Sequence, residues 1–144
     1  MNYACFIPSA AERNAVERVV GRFRELQGDD LNEGLVFREF VDFRPVAVHS
    51  KSGMPLTEEY RSFWLDAQPV FCSPYWKGGE YCKTYPPLEF FAEIAAVVRS
   101  RFFTMDVARR VDGNWMIVEL GDGQVSGLPR EDDAGPFYQL LTRK

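Results

Sequence analysis

Two apolar segments separated by Asp112-Gly113 place the strongest constraint on how this chain can fold. The segments, residues 102–110 and 115–120, are rich in Phe, Met, Val and Ile. Asp-Gly between two such runs is typical of a tight β-hairpin, because both residues tolerate the positive φ angles of the turn. The sequence therefore predicts two antiparallel strands joined at Asp112 and Gly113.

The same hairpin brings two acidic residues together. If Asp112-Gly113 is a two-residue loop, the register makes Asp106 and Glu119 direct partners across the two strands. Facing side chains have Cβ atoms about 4.5–5.5 Å apart, and like charges at that distance destabilise a sheet. A loop one residue longer would break this pairing.

A divalent cation between the two carboxylates would turn their repulsion into coordination. Hard oxygen ligands, with room for water and phosphate oxygens, suit Mg²⁺. The alternative is a purely structural pair that is solvated at a sheet edge or paired with Arg109 or Arg101. Asp106 and Glu119 are therefore candidate metal ligands.

Two arginines lie within predicted strands, Arg38 inside LVFREFV and Arg61 inside EYRSFWL. A buried guanidinium needs an anionic partner, because burying an unpaired charge is costly. The candidate partners within the chain are Glu33, Glu39, Glu59 and the Asp106/Glu119 pair. The phosphates of a nucleotide are also candidates, since arginine binds them through its planar fork of donors. The arginines expected at the surface are Arg44, Arg99, Arg101, Arg109 and Arg110.

An amphipathic helix is expected near the N-terminus, over residues 10–27. Ser9 and Glu12 form a capping-box pattern, and apolar residues follow at helical spacing with charged residues between them. Gly28 suits the left-handed conformation that often ends a helix.

The middle of the chain contains strand-like and irregular segments. Residues 35–43 and 59–65 are dense in β-branched and aromatic residues, which predicts two strands. The second strand is expected to turn near 66–69 and to return through Val70. Residues 73–87 contain three prolines and two glycines, which predicts an irregular insertion.

Two further helices are expected in the second half of the chain. Pro86 or Pro87 suits the first turn of one helix, and residues 136–141 form a short terminal helix. The expected core-facing residues of the first of these helices are Phe90 or Phe91, Ile94, Val97 and Val98.

Together these elements predict one α+β domain over residues 1–144, an antiparallel sheet with helices packed on one face. The net charge of −4 argues against nucleic-acid binding, which needs a dense basic surface. No segment approaches the ~18 apolar residues of a membrane span, and the first residues lack the pattern of a signal peptide. We expect a cytoplasmic protein that binds neither membranes nor nucleic acids.

Four segments, read together, resemble the C-terminal half of the ATP-grasp fold. They are EGLVFREFVDF (33–43), EYRSFWLD (59–66), the hairpin region (102–129) and FYQLL (137–141). The nearest likeness is to a phage and bacterial clade of that superfamily marked by two arginines and a lysine. ATP-grasp proteins place a magnesium-binding Asp on one hairpin strand and a Glu on the next, and Asp106 and Glu119 match those positions.

The resemblance implies roles for further residues. Arg38 and Arg61 correspond to the two arginines of the clade, which implies that they are catalytic and contact the nucleotide. Residues 38–41 look like the hinge strand, in which Glu39 and the backbone near Val41 receive the ribose and adenine. ATP and Mg²⁺ are the implied cofactors.

Two departures from the clade's pattern affect these expectations. Many ATP-grasp proteins carry Asn two residues after the metal-binding Glu, but that place is Gly121 here, so Asp122 or water would take over as ligand. The clade's lysine would lie on a strand just before residues 2–8. We therefore expect the lysine-bearing lobe to be absent or to be supplied from elsewhere, by a partner chain or a second copy that completes the cleft.

Two functions remain open from the sequence. The resemblance implies a domain of a carboxylate–amine ligase that activates an unknown carboxylate as an acyl-phosphate for an amine. The alternative is a non-catalytic interaction or regulatory domain that retains the fold. Its docking patch would be formed by Tyr75, Trp76, Tyr81 and Tyr85.

Overall fold

The computed structural model describes residues 5–31, 34–51 and 53–142. The chain divides into two compact units, residues 1–41 and 42–144, each described by itself. The prediction of one domain over residues 1–144 stays a prediction. In the described part of the chain, no helix is both long and apolar enough to cross a membrane.

The elements follow the chain in this order. The first unit contains helix α1 (Arg13–Gln27) and a 3₁₀ turn (Gly28–Asp30). The strands of the second unit are β1 (Pro45–Val48), β2 (Pro55–Thr57), β3 (Glu59–Leu65), β4 (Gln68–Pro74), β5 (Phe102–Arg109) and β6 (Trp115–Asp122). Its helices are α2 (Ala92–Val97), preceded by a 3₁₀ turn (Leu88–Phe91), and α3 (Ala134–Leu141), preceded by a 3₁₀ turn (Glu131–Asp133).

Helix α1 confirms the predicted N-terminal helix but begins three residues later than expected. Ser9 instead closes a turn, because its Oγ accepts a hydrogen bond from the Ala11 N–H and its carbonyl accepts one from the Glu12 N–H. The helix ends at Gln27, and Gly28 follows with a φ of 52° and a ψ of −129°. The positive φ suits glycine, but the ψ differs from that of the predicted left-handed cap.

The predicted strand over residues 35–43 was wrong. Residues 34–42 have no regular secondary structure, and Phe43 forms a single bridge with Arg110. Val36 and Phe37 are largely exposed. Strand propensity reflects packing against neighbouring strands more than an intrinsic preference of the backbone. Among the strands that the structure describes, none pairs with residues 34–42.

Four strands form one antiparallel sheet in the order β4-β3-β5-β6, and β1 pairs with β2 in a separate hairpin. The predicted strand 59–65 and the predicted hairpin of β5 and β6 are confirmed. Asp66 and Ala67 both adopt positive φ and form the tight turn between β3 and β4. Strand β4 extends to Pro74, so the irregular insertion begins at residue 75.

The two faces of the four-stranded sheet carry separate aromatic clusters. On one face Tyr60 and Trp64 pack with Phe103, Met105 and Val107 against the turn and helix at 88–97. On the other face Phe63, Phe71 and Phe102 surround Phe137 of α3. The α+β class with antiparallel sheets is confirmed, but α2 and α3 lie on opposite faces rather than on one. The reason is strand alternation: neighbouring residues such as Phe63 and Trp64 point to opposite sides.

The buried side of the α2 region differs in part from the expectation. Phe91 is buried, as one of the two alternatives predicted, and Val98 packs against the core. Ile94 and Val97 are exposed, and Ala95 is buried instead.

A buried acid that no sequence pattern selected joins several parts of the second unit. The Glu58 side chain is fully buried, with one oxygen 3.3 Å from Arg44 Nη1 and 3.8 Å from Arg109 Nη1. Its other oxygen accepts a hydrogen bond from the Cys82 N–H of the insertion. Arg44 and Arg109 were expected at the surface as solvated charges, and both instead offset this buried carboxylate.

We expect Glu58→Gln to lower the free energy of unfolding by about 1–3 kcal/mol, because the partly exposed Arg44 and Arg109 lose the buried carboxylate that they share. Urea denaturation measures this difference. Glu131→Gln is the control: its carboxylate forms an exposed 3.7 Å pair with Lys77, so it should change stability by less than about 0.5 kcal/mol. Equal effects of the two substitutions would contradict the structural role of Glu58.

Candidate functional site

The turn of the β5–β6 hairpin is one residue longer than predicted. The Arg110 N–H donates to the Asn114 carbonyl, and the Gly113 N–H donates to the Arg110 carbonyl. Val111, Asp112 and Gly113 therefore form a three-residue loop, with Gly113 at a φ of 91°. This is the hairpin turn in which the last loop residue adopts the left-handed conformation.

A β-bulge restores the register that the longer loop would otherwise have broken. Next to the turn Val107 pairs with Ile117, but the following pair is Asp106 with Glu119. Val118 is the extra residue on β6, since two residues there span one step of β5. Asp106 and Glu119 are thus direct partners, as predicted, through two irregularities that compensate for each other.

Asp106 is bound to Arg61 by a two-bond ion pair across β3 and β5. Arg61 Nε lies 2.9 Å from Asp106 Oδ1, and Nη2 lies 2.7 Å from Oδ2. Asp106 is only 2% exposed and the Arg61 side chain 14% exposed. The candidate structural partners Arg109 and Arg101 bind Glu58 and Asp66 instead. The cation that holds Asp106 is the arginine selected for phosphate binding.

The surroundings fix the orientation of the Arg61 guanidinium. It lies over the Tyr75 ring, 4.8 Å from the centroid, and its Nη1 donates to the Gly127 carbonyl at 3.1 Å. The Asp106 hydrogen bonds, followed by the charges of Asp106, Tyr75 and Glu119, raise the pKa of Arg61. Glu119 itself is exposed. The sheet face thus presents a buried ion pair with a second, solvent-facing carboxylate beside it.

Glu59 adds another acid to the same face of β3. Burial, and secondly the charge of Asp106, raise the pKa of its carboxyl to about 6. The hydrogen bond from the Thr57 hydroxyl, the nearby Trp76 indole and the charge of Arg61 oppose this shift less strongly. The sequence gives no sign that the pKa of Glu59 is raised, because Glu58-Glu59 is an ordinary pair of acidic residues. The raised pKa comes from burial and from Asp106 on another strand.

The packing around Gly121 leaves no room for a side chain at this position. A Cβ atom at Gly121 would lie 2.7 Å from Thr104 Oγ1 and 3.0 Å from Ser126 Oγ. These two hydroxyl groups are hydrogen-bonded to each other at 2.9 Å. The space that a longer side chain would fill is taken by this hydroxyl pair, next to Asp106 and Glu119 on the same face.

Asp122 is not brought to the carboxylate pair. It is the register partner of Phe103, which packs on the opposite face of the sheet. Its Oδ1 accepts a hydrogen bond from the Gln124 N–H at the turn that follows β6. Among the residues that the structure describes, no group of three or more His, Cys, Asp or Glu side chains could hold a metal ion.

The remaining predicted site residues, Arg38, Glu39 and Val41, belong to the first unit. They lie in the segment without regular secondary structure, so the expected hinge strand is not formed there. Arg38 and Glu39 are exposed and Val41 is half-buried.

The aromatic residues of the insertion do not form the exposed docking patch that was predicted. Tyr75, Trp76 and Tyr81 are half-buried. The Tyr81 hydroxyl accepts a hydrogen bond from the Trp76 N–H, and its ring packs on Tyr60. Tyr85 is exposed but also packs against Tyr60. These rings fold the insertion onto the sheet.

Comparison with known proteins identifies one family. The matching family model describes an ATP-grasp domain, family 3 of the clade named for its two arginines and a lysine, and it matches residues 1–141 of the chain. Among curated proteins there is no significant match.

We expect Glu59→Gln to stabilise the protein by roughly 1–2 kcal/mol at pH 8 and not at pH 4. The folded state raises the pKa of this carboxyl from 4.5 to about 6, because it disfavours the ionised form. Glu59 therefore lowers the stability of the protein progressively as the pH rises from 4.5 through 6, and the neutral amide of Gln avoids this loss. Urea denaturation at several pH values measures the difference. Glu93→Gln, on the exposed side of α2, is the control; a gain from Glu59→Gln at pH 4 as large as at pH 8 would contradict the assignment.

We expect Gly121→Ala to destabilise the protein by about 1–3 kcal/mol, because the buried Thr104 hydroxyl has little room to move away from the new methyl group. Gly127→Ala is the matched control, since no heavy atom of the described residues lies within 4 Å of a Cβ at that position. The midpoints of urea denaturation give the comparison. If both variants unfold at the same urea concentration, the hydroxyl pair does not constrain this site.

Proposed function

The chain belongs to this clade family of ATP-grasp domains, and on that basis we propose that it binds Mg·ATP at the face carrying Arg61, Asp106 and Glu119. The observation that carries the proposal is the pairing of Asp106 with Glu119 across β5 and β6. These are the two positions at which the ATP-grasp resemblance places metal-binding acids.

Two carboxylates are a residue pair that suits Mg²⁺, but in this structure both oxygens of Asp106 accept hydrogen bonds from Arg61. Mg²⁺ keeps several waters and is bound through one or two carboxylates together with the phosphates of a substrate. Asp106 and Glu119 would hold it, with water rather than Asp122 as a further ligand, because Asp122 lies on the other face of the sheet. When bound, Mg²⁺ neutralises charge on the triphosphate.

The arginines would bind the phosphates. Arg61 offers a planar set of donors within a preorganised site, and charge stabilisation by fixed groups is the main contribution of a protein to phosphoryl transfer. Arg38, Glu39 and Val41 enter the proposal through the family resemblance, as contacts to the phosphates, ribose and adenine.

The reaction class we propose is that of the carboxylate–amine ligases, in which ATP converts a carboxylate into an acyl-phosphate for an amine to attack. A cleft of about 550 Å³ is lined in part by Trp76, Lys77, Tyr81, Arg130 and Glu131, and Glu131 already forms an ion pair with Lys77.

We expect the protein to bind Mg·ATP and Glu119→Gln to weaken this binding at least tenfold, measured by calorimetry. Glu119 is exposed, so its replacement leaves the fold intact. Asp106→Asn serves as a second variant, but it removes both the ion pair with Arg61 and the proposed metal ligand. Glu93→Gln is the control for loss of one surface carboxylate. ATP is titrated into the protein in the presence of Mg²⁺ and again in the presence of EDTA.

Two outcomes would contradict the proposal. If the wild-type protein shows no binding with Mg²⁺ present, the alternative of a non-catalytic interaction or regulatory domain is favoured. If Glu119→Gln and Glu93→Gln bind equally to the wild type, nucleotide binding does not use the carboxylate pair.

A further inference from the structure

The Arg61–Asp106 ion pair occupies a carboxylate that the proposed metal site requires. Each oxygen of Asp106 accepts a hydrogen bond from a different nitrogen of Arg61, at 2.9 and 2.7 Å. Asp106 is 2% exposed. A cation that approaches Asp106 must therefore displace at least one N–H of Arg61.

We propose that Arg61 exchanges partners when nucleotide binds: it holds Asp106 in the nucleotide-free protein and moves to the phosphates as Asp106 becomes available to the metal. This inference rests on the proposed function and concerns the coupling between its two ligands. Arg61 is thereby a positioning residue for Asp106 as well as a phosphate-binding group.

The charges favour an exchange rather than a permanent ion pair. Arg61 supplies one positive charge, while Asp106 and its register partner Glu119 supply two negative charges on the same face. The influence of Glu119 on the pKa of Arg61 places this second acid within electrostatic reach of the guanidinium. A divalent cation matches the two carboxylates, and a polyphosphate matches the arginine that it releases.

Within the described residues, two donors of the guanidinium have no hydrogen-bond partner and can begin the exchange. Of its five N–H groups, two bind Asp106 and one binds the Gly127 carbonyl. The remaining two N–H groups can bind a phosphate oxygen before the bonds to Asp106 break. The Tyr75 ring, 4.8 Å away, supports the guanidinium in either position because it contacts the flat face and not the donors.

The exchange has a consequence that a purely structural ion pair does not share. If Arg61 competes with the metal for Asp106, removing the guanidinium strengthens metal binding in the absence of nucleotide while it weakens nucleotide binding. A structural role alone predicts that both affinities fall, because the sheet would be perturbed.

The test measures Mn²⁺ binding, by loss of the free Mn²⁺ electron paramagnetic resonance signal, to nucleotide-free wild type, Arg61→Met and Arg101→Met. Arg101 is a matched control, since it forms an equally close two-bond pair with Asp66 that is exposed and remote in register from Glu119. We expect Arg61→Met to bind Mn²⁺ at least tenfold more tightly than wild type and Mg·ATP at least tenfold more weakly. Arg101→Met should match the wild type in both.

Arg61→Lys decides the question if Arg61→Met unfolds in the absence of urea. Lysine keeps the charge but loses the two-bond fork, so we expect tighter Mn²⁺ binding than in wild type by about threefold to tenfold. Unchanged or weaker Mn²⁺ binding in a folded Arg61 variant, with Mg·ATP binding by the wild type intact, overturns the exchange alone. Failure of the wild type to bind Mg·ATP overturns the proposed function.

Discussion

The second unit depends on one buried ion pair, Arg61 with Asp106. Its two hydrogen bonds join β3 to β5 in the centre of the sheet, and the third bond of the guanidinium fixes the loop that carries Gly127. Removing either partner would leave the other charge buried without its main partner, which costs far more than a surface pair contributes. The same bonds hold Asp106 beside Glu119, so stability and the candidate chemistry rest on the same atoms.

The sheet separates that chemistry from a second polar cluster. Strand alternation places Glu59, Arg61, Asp106 and Glu119 on the face that also carries α3, and Glu58 with Arg109 on the face that carries α2. Glutamates that are adjacent in sequence therefore have different roles. Glu58 is fully buried against two arginines, whereas Glu59 has a raised pKa because burial and Asp106 disfavour its charged form. A change at one residue of this pair should leave the environment of the other largely intact.

The carboxylate pair was predicted correctly from an incorrect turn. Asp112-Gly113 indicated a two-residue loop, but Val111 joins the loop and Val118 forms a compensating bulge. Local sequence signals the presence of a turn reliably, because Gly113 needs a left-handed φ. The number of loop residues and the position of a bulge depend on how β6 packs and twists against β5, which a short-range pattern does not contain. The strand expected at residues 35–43 failed for a related reason, since β propensity becomes structure only where a partner strand exists.

The sequence by itself determined the α+β class, the hairpin, the strand 59–65, the helices near both ends and the family resemblance that the family model bears out. These features are encoded in local periodicity, turn residues and short motifs. Only the tertiary structure decided that Arg61 binds Asp106, that Glu58 is buried, that Gly121 faces two hydroxyl groups and that Asp122 lies on the far face. Each of these depends on which residues from distant strands become neighbours, because charge pairing and burial act through space rather than along the chain.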